Sequence, residues 1–119
     1  ATHINHPSAI WVRENKANYD WLYDMWCWLL EEYTHRYEKQ HACGRLSNAL
    51  QFAPDNITKR GKFFAPTPAM PVELKIESKN PESGRKYDVL ASYKNYYIKD
   101  KARFAKWKNR ETPSWFVTT

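Results

Sequence analysis

Residues 15–40, NKANYDWLYDMWCWLLEEYTHRYEKQ, decide the fold class. Tyr19, Leu22, Trp26, Leu29, Tyr33 and Tyr37 recur at steps of three and four, the spacing of one face of an α-helix. Trp21, Met25 and Trp28 widen that face, and neither Gly nor Pro interrupts the run. Asn15 or Asn18 supplies the N-cap, because its side-chain oxygen accepts a first-turn amide that has no helical partner. Asp20 and Asp24 come early and Arg36 and Lys39 late, as the helix dipole favours. A helix apolar over so broad an arc is expected at the centre of the fold, covered on more than one side.

Working outward, residues 1–13 are polar and aromatic, and His6-Pro7 marks an extended or turning backbone. Ile10, Trp11 and Val12 form either a short strand or a lead into the long helix. On the other side, residues 43–53 read as a second helix with Leu46, Ala49, Leu50 and Ala53 buried, ended by Pro54. A basic loop follows at 55–62, containing Lys59-Arg60-Gly61-Lys62. Pro66, Pro68 and Pro71 then impose an extended connection, since each fixes its own φ and lacks an amide donor. Residues 79–84 read as an exposed turn. The last helix is expected over 87–107, with Leu90, Tyr93, Tyr97, Phe104 and Trp107 as its apolar stripe. Thr112-Pro113 stops it, and Trp115-Phe116 fold back onto the core. The expectation is a mainly α protein, one domain over 1–119. It has about three helices, long Pro-containing connections and little or no sheet.

Composition fits that reading. Of the 119 residues, 42% are hydrophobic and 16% aromatic, so a few large rings can build a small core. The formal charge is +6 and the isoelectric point about 9.3, which favours polyanionic partners. The sequence has no apolar run long enough for a transmembrane helix, and residues 1–8 do not form a signal peptide. Two cysteines, Cys27 and Cys43, do not make a disulfide framework. The expected location is cytoplasmic, with no membrane partner and no cofactor.

The strongest partner signal lies at 85–110, where nine Lys or Arg face only Asp88 and Asp100. Tyr96, Tyr97 and Trp107 are interleaved with them. Cations neutralise phosphates and release counterions, while exposed rings stack on bases. The competing reading is a solvated helix face whose rings point inward. Arg13, Arg36, Lys59, Arg60, Lys94, Lys101, Arg103, Lys106 and Arg110 are the expected phosphate contacts, with Tyr96 and Trp107 stacking. DNA is the expected partner; a host protein is the alternative.

A second signal is Glu31-Glu32-Tyr33-Thr34-His35-Arg36. Glu31 with His35, and Glu32 with Arg36, share helix faces four residues apart. A carboxylate beside His and Arg serves as a general base or holds a cation; two surface pairs are the plainer account. His3, His6, His35 and His41 show none of the familiar zinc spacings, so no metal site is expected. Gly44, Gly61 and Gly84 are isolated and form no phosphate loop, and no Ser- or Cys-centred hydrolase motif is present.

Asn5-His6-Pro7, Trp11-Val12-Arg13, Asn18-Tyr19 with Trp21-Leu22, and Glu32-Tyr33 with Arg36-Tyr37 resemble a group of small bacteriophage proteins. So do Ala69-Met70-Pro71, Tyr93 with Tyr96-Tyr97, and Phe104 with Lys106-Trp107, Arg110 and Pro113-Ser114-Trp115-Phe116. The opening Thr2-His3-Ile4-Asn5, and Arg110 with Pro113 and Trp115, are also similar to the phage pyrimidine-dimer DNA glycosylases. That resemblance implies a DNA glycosylase and lyase. A terminal amine at Ala1, or at Thr2 once Ala1 is removed, would attack the sugar C1′ of a damaged or modified nucleotide. Glu32 or Asp24 would manage protons or the cation, with His35 nearby. Ala1 precedes Thr2 and so departs from the pattern; Asp24 lies nearest the family's helical Glu by position, and Glu31 and Glu32 fall about two turns later. A small nucleotide-processing enzyme, with Arg and His clamping a phosphate, is the further alternative.

Overall fold

The computed structural model describes residues 2–79 and 86–117. Along the chain come α1 (Pro7–Val12), α2 (Lys16–Tyr37), a 3-10 turn (Ala42–Leu46) and α3 (Ser47–Leu50). A second 3-10 turn (Val72–Leu74), α4 (Val89–Tyr96) and a π-helical turn (Tyr97–Lys101) follow. The protein is mainly helical, and the described residues form no strand, only an isolated antiparallel bridge between Glu77 and Tyr87. Contacts gather into two units, Ala1–Phe64 and Ala65–Thr119, described in turn.

The first unit is built around Trp11 and two asparagines. Residues 10–12 belong to a helix, not a strand: Pro7 opens α1, and the His6 Nδ1 accepts from the Ser8 amide. Asn15 is the N-cap of α2, its side-chain oxygen accepting the Asn18 amide at 2.8 Å. Asn18 lies one turn inside and is fully buried. Its amide donates to the Trp11 carbonyl at 2.9 Å, and its oxygen accepts from the Phe64 amide at 3.2 Å. The Trp11 indole donates to the Phe64 carbonyl at 2.8 Å. Trp21, Phe63 and Phe64 meet the Trp11 ring edge to face, at centroid distances of 5.8, 6.1 and 6.4 Å. Edge-to-face packing sets the positive rim of one ring against the negative face of another. The loop of residues 57–64 is thereby sewn onto the start of α2, helped by the Lys16 amide donating to the Thr58 carbonyl. Gly61 sits at φ +102°, and a Cβ there would come within 3.3 Å of the Asn15 side chain. Only glycine meets both conditions without strain.

Two expectations for this unit change. First, α2 is not covered all round: Trp28 is 72% and Leu29 60% exposed, with Trp21 and Met25 also exposed. Second, residues 43–53 make a 3-10 turn and a single α-turn, and Leu46 and Leu50 are exposed. The cause is local. A longer helix would need an amide from residue 54 for the Leu50 carbonyl, and Pro54 has none. The Tyr19 hydroxyl takes that carbonyl instead at 2.8 Å, and the Tyr23 hydroxyl takes that of Ser47 at 2.9 Å.

In the second unit, α4 holds the proline-rich connection in place. Asp88 caps it through the Ala91 amide. Ser92 is fully buried; its hydroxyl accepts from the Ile76 amide at 2.9 Å and donates to the Asp88 carbonyl at 2.6 Å. Tyr93 accepts the Ala69 amide, and Asn95 donates to the Leu74 carbonyl. The last helix is shorter than the sequence spacing implies. It ends at Lys101 through the π turn, and residues 102–117 are irregular. A π turn closes its hydrogen bond one residue later than an α turn, so the apolar phase set by Tyr93 and Tyr97 is lost beyond it. Phe104 therefore lies 62% exposed and not in an inward stripe, and Leu90 is exposed as well. Trp115 and Phe116 do fold back, onto Trp107 at 6.3 and 5.3 Å. Of the expected exposed turn, residues 80–84 lie outside the described residues.

Candidate functional site

The carboxylates and histidine of α2 stand on one continuous helix. Asp24 and Glu32 are eight residues apart, a rise of about 12 Å, too far for both to serve one reacting amine. Glu32 is engaged by Arg36, whose Nε lies 2.9 Å from its carboxylate oxygen. Asp24, Glu31 and His35 are exposed on a different face. Thr2 is exposed, and Ala1 lies outside the described residues. Among the described residues no three His, Cys, Asp or Glu side chains come together as a metal site would require.

Beside the C-terminal half of α2 lies an open cleft of about 660 Å³. Glu31 and Thr34 of α2 line it, together with His41, Arg45 and Ser47. The His41 Nδ1 accepts the Cys43 amide at 3.0 Å, capping the 3-10 turn. That bond leaves Nε2 as the ring's donor in the neutral form. Its ring also packs edge-on against Tyr33 at 4.8 Å. The Arg45 guanidinium donates one bond, to the Ala42 carbonyl, and keeps further N–H groups for a ligand.

The second unit concentrates charge and rings. It contains eleven basic and six acidic residues, against eight and seven in the first, so nearly all the net charge belongs to it. Lys94 Nζ lies 5.8 Å from the Trp115 centroid. Lys101 Nζ lies 5.1 Å from Tyr96 and 5.9 Å from Phe104, and the Arg103 guanidinium 4.4 Å from Phe104. Each cation sits over a negative ring face, which favours it by about 0.5–1 kcal/mol at an exposed site. Asp100 is a weak competitor, 3.8 Å from Lys101 and 4.0 Å from Arg103.

No family model matches the chain, and neither a curated protein nor a solved structure is found to be similar to it. The geometry of the side chains is therefore what bears on function.

The nine expected phosphate contacts divide between the units. Arg13, Arg36, Lys59 and Arg60 belong to the first, where Arg13 donates to the Ile4 carbonyl at 2.6 Å and Arg36 pairs with Glu32. Lys94, Lys101, Arg103, Lys106 and Arg110 belong to the second. The two expected stacking rings are both half-buried. Tyr96 lies under Lys101, and Trp107 packs against Trp115 and Phe116, which also touch each other. Among the described residues of the second unit, the exposed rings are Phe104 and Tyr97. Sequence spacing missed Phe104 because the phase of α4 was carried through the π turn.

One side chain of the first unit has a shifted titration. Loss of water contact raises the Tyr23 phenol above its ordinary value, and hydrogen bonding and charge at Cys27, then the charge of Asp24, add to it.

Proposed function

We propose that the protein associates with nucleic acid, most directly DNA, through the basic and aromatic surface of its second unit. The observation that carries this is the set of cations stationed over rings: Lys94 on Trp115, Lys101 on Tyr96 and Phe104, and Arg103 on Phe104. Lys and Arg supply phosphate neutralisation, and rings beside them supply stacking. The excess of eleven basic over six acidic residues in this unit supports the same partner. Anisotropy of labelled DNA at a low and a moderate salt concentration tests it. Binding that weakens steeply with salt is expected, and no binding at low salt overturns the reading.

A second reading has its own observation. The cleft beside α2 is lined by Arg45, His41 and Glu31 together, in a volume typical of small-ligand sites. A phosphate-bearing nucleotide fits that pairing: Arg45 and His41 donate to phosphate, and Glu31 accepts from a base or sugar hydroxyl. A nucleotide that binds there raises the melting temperature, and Arg45→Ala abolishes the rise. No protection by any common nucleotide overturns it.

A further inference from the structure

We infer that residues 94–116 form a stacking platform for unpaired bases, so that the nucleic acid taken is single-stranded. The inference rests on the nucleic-acid reading of the second unit and narrows it. Phe104 is the central observation. It follows the π turn in irregular backbone, and the residue is 62% exposed with two basic side chains at its ring. The Arg103 guanidinium lies 4.4 Å from the ring centroid and Lys101 Nζ 5.9 Å. Tyr97, 44% exposed, stands edge-on to Trp115 at 6.4 Å, and Lys94 lies over Trp115.

An exposed ring that already takes cations over its face discriminates between nucleic-acid forms, because a base face can stack where the Arg103 guanidinium now lies. In a duplex both faces of every base are covered by neighbouring pairs, so it offers phosphates to Lys101 and Arg103 but no face to Phe104. A single strand offers both at once: phosphates to the cations and a free base face to the ring. Groove reading from α4 is disfavoured by how that helix is used. Ser92, Tyr93 and Asn95 hold Ile76, Ala69 and Leu74 respectively, so these three polar side chains of the eight-residue helix are already committed. Stacking on Phe104 tolerates any sequence, because every base has a π face.

The test compares a labelled oligothymidylate of about 15 nucleotides with a duplex of equal length, using the full chain at one salt concentration. The expected result is tighter binding of the single strand. Phe104→Ala weakens single-strand binding by roughly tenfold, in line with the loss of one stacked base. It leaves duplex binding and both salt slopes unchanged. Phe104→Leu behaves as Phe104→Ala, because it keeps an apolar side chain without a π face, and Phe104→Trp retains binding. Equal or tighter duplex binding overturns this inference while the nucleic-acid reading stands; so does an equal loss on both forms in Phe104→Ala. Absence of binding to either form overturns both.

Discussion

At the scale of single residues, the first unit depends on polar atoms more than its aromatic richness suggests. Asn18 has no exposed surface and joins α1, α2 and the 57–64 loop through the Trp11 carbonyl and the Phe64 amide. Replacing it with Ala removes the side-chain acceptor of the Phe64 amide and one of the two bonds to the Trp11 carbonyl, which keeps the Glu14 amide. Each buried, unsatisfied group costs about 1–3 kcal/mol. Asn18→Ala is therefore expected to lose about 2–4 kcal/mol in urea unfolding, well beyond the loss of about 1 kcal/mol typical of removing an ordinary cap. A loss no larger than that typical value argues that the hub is not needed. Tyr23 makes a prediction about pH. Its raised pKa means the folded chain keeps the phenol proton to higher pH than the unfolded chain does. The resulting stabilisation is complete below about pH 10, the ordinary tyrosine value, and is lost as pH rises through the folded-state value. Tyr23→Phe should make the alkaline fall in stability shallower, measured as urea midpoints from about pH 9 to pH 11. An unchanged alkaline slope would remove Tyr23 as its source.

At the scale of elements, α2 was legible because every local signal agrees over residues 15–37. Asn15 caps, the apolar spacing holds, and nothing breaks the run. Where the helix stops was less legible, since Glu38 takes the left-handed conformation at φ +57°, its amide donating to the Thr34 carbonyl at 2.8 Å. Glycine is the usual residue for that position. Glu38→Gly should relieve the side-chain strain and raise stability by about 0.5–1 kcal/mol, offset in part by the greater entropy of unfolded glycine. An unchanged urea midpoint would show the strain to be negligible. The other elements were read too long for reasons a single pattern does not carry. The second helix is cut short because tyrosines twenty-four and more residues away claim its carbonyls. The last helix is cut short by a π turn, which leaves no mark in the spacing of Tyr93 and Tyr97. The same turn accounts for Phe104, which was expected in the buried stripe and lies exposed; Tyr96 and Trp107, expected to stack on bases, are half-buried. The basic cluster was legible because charge counts do not depend on helix phase.

At the scale of the whole molecule, charge is divided unevenly between two contact units, and the division yields a quantitative test. The first unit has eight basic and seven acidic residues, and its arginines include Arg36, already paired with Glu32, and Arg13, bonded to a carbonyl. The second has an excess of five cations, several of them over rings that keep them near the surface. Counterion release makes the salt slope a count of phosphates neutralised, about −0.7 per contact for a single strand. Two triple variants of the full chain separate the units. Lys94→Gln with Lys101→Gln and Arg103→Gln should make the slope shallower by about 2 and weaken binding at low salt. Arg13→Gln with Lys59→Gln and Arg60→Gln removes the same formal charge, so it controls for net charge alone. That second triple variant should leave the slope nearly unchanged if the phosphates lie on the second unit. Equal reductions would mean that phosphate contacts extend over both units, and a reduction confined to the first triple variant would fix the contact face on residues 94–103.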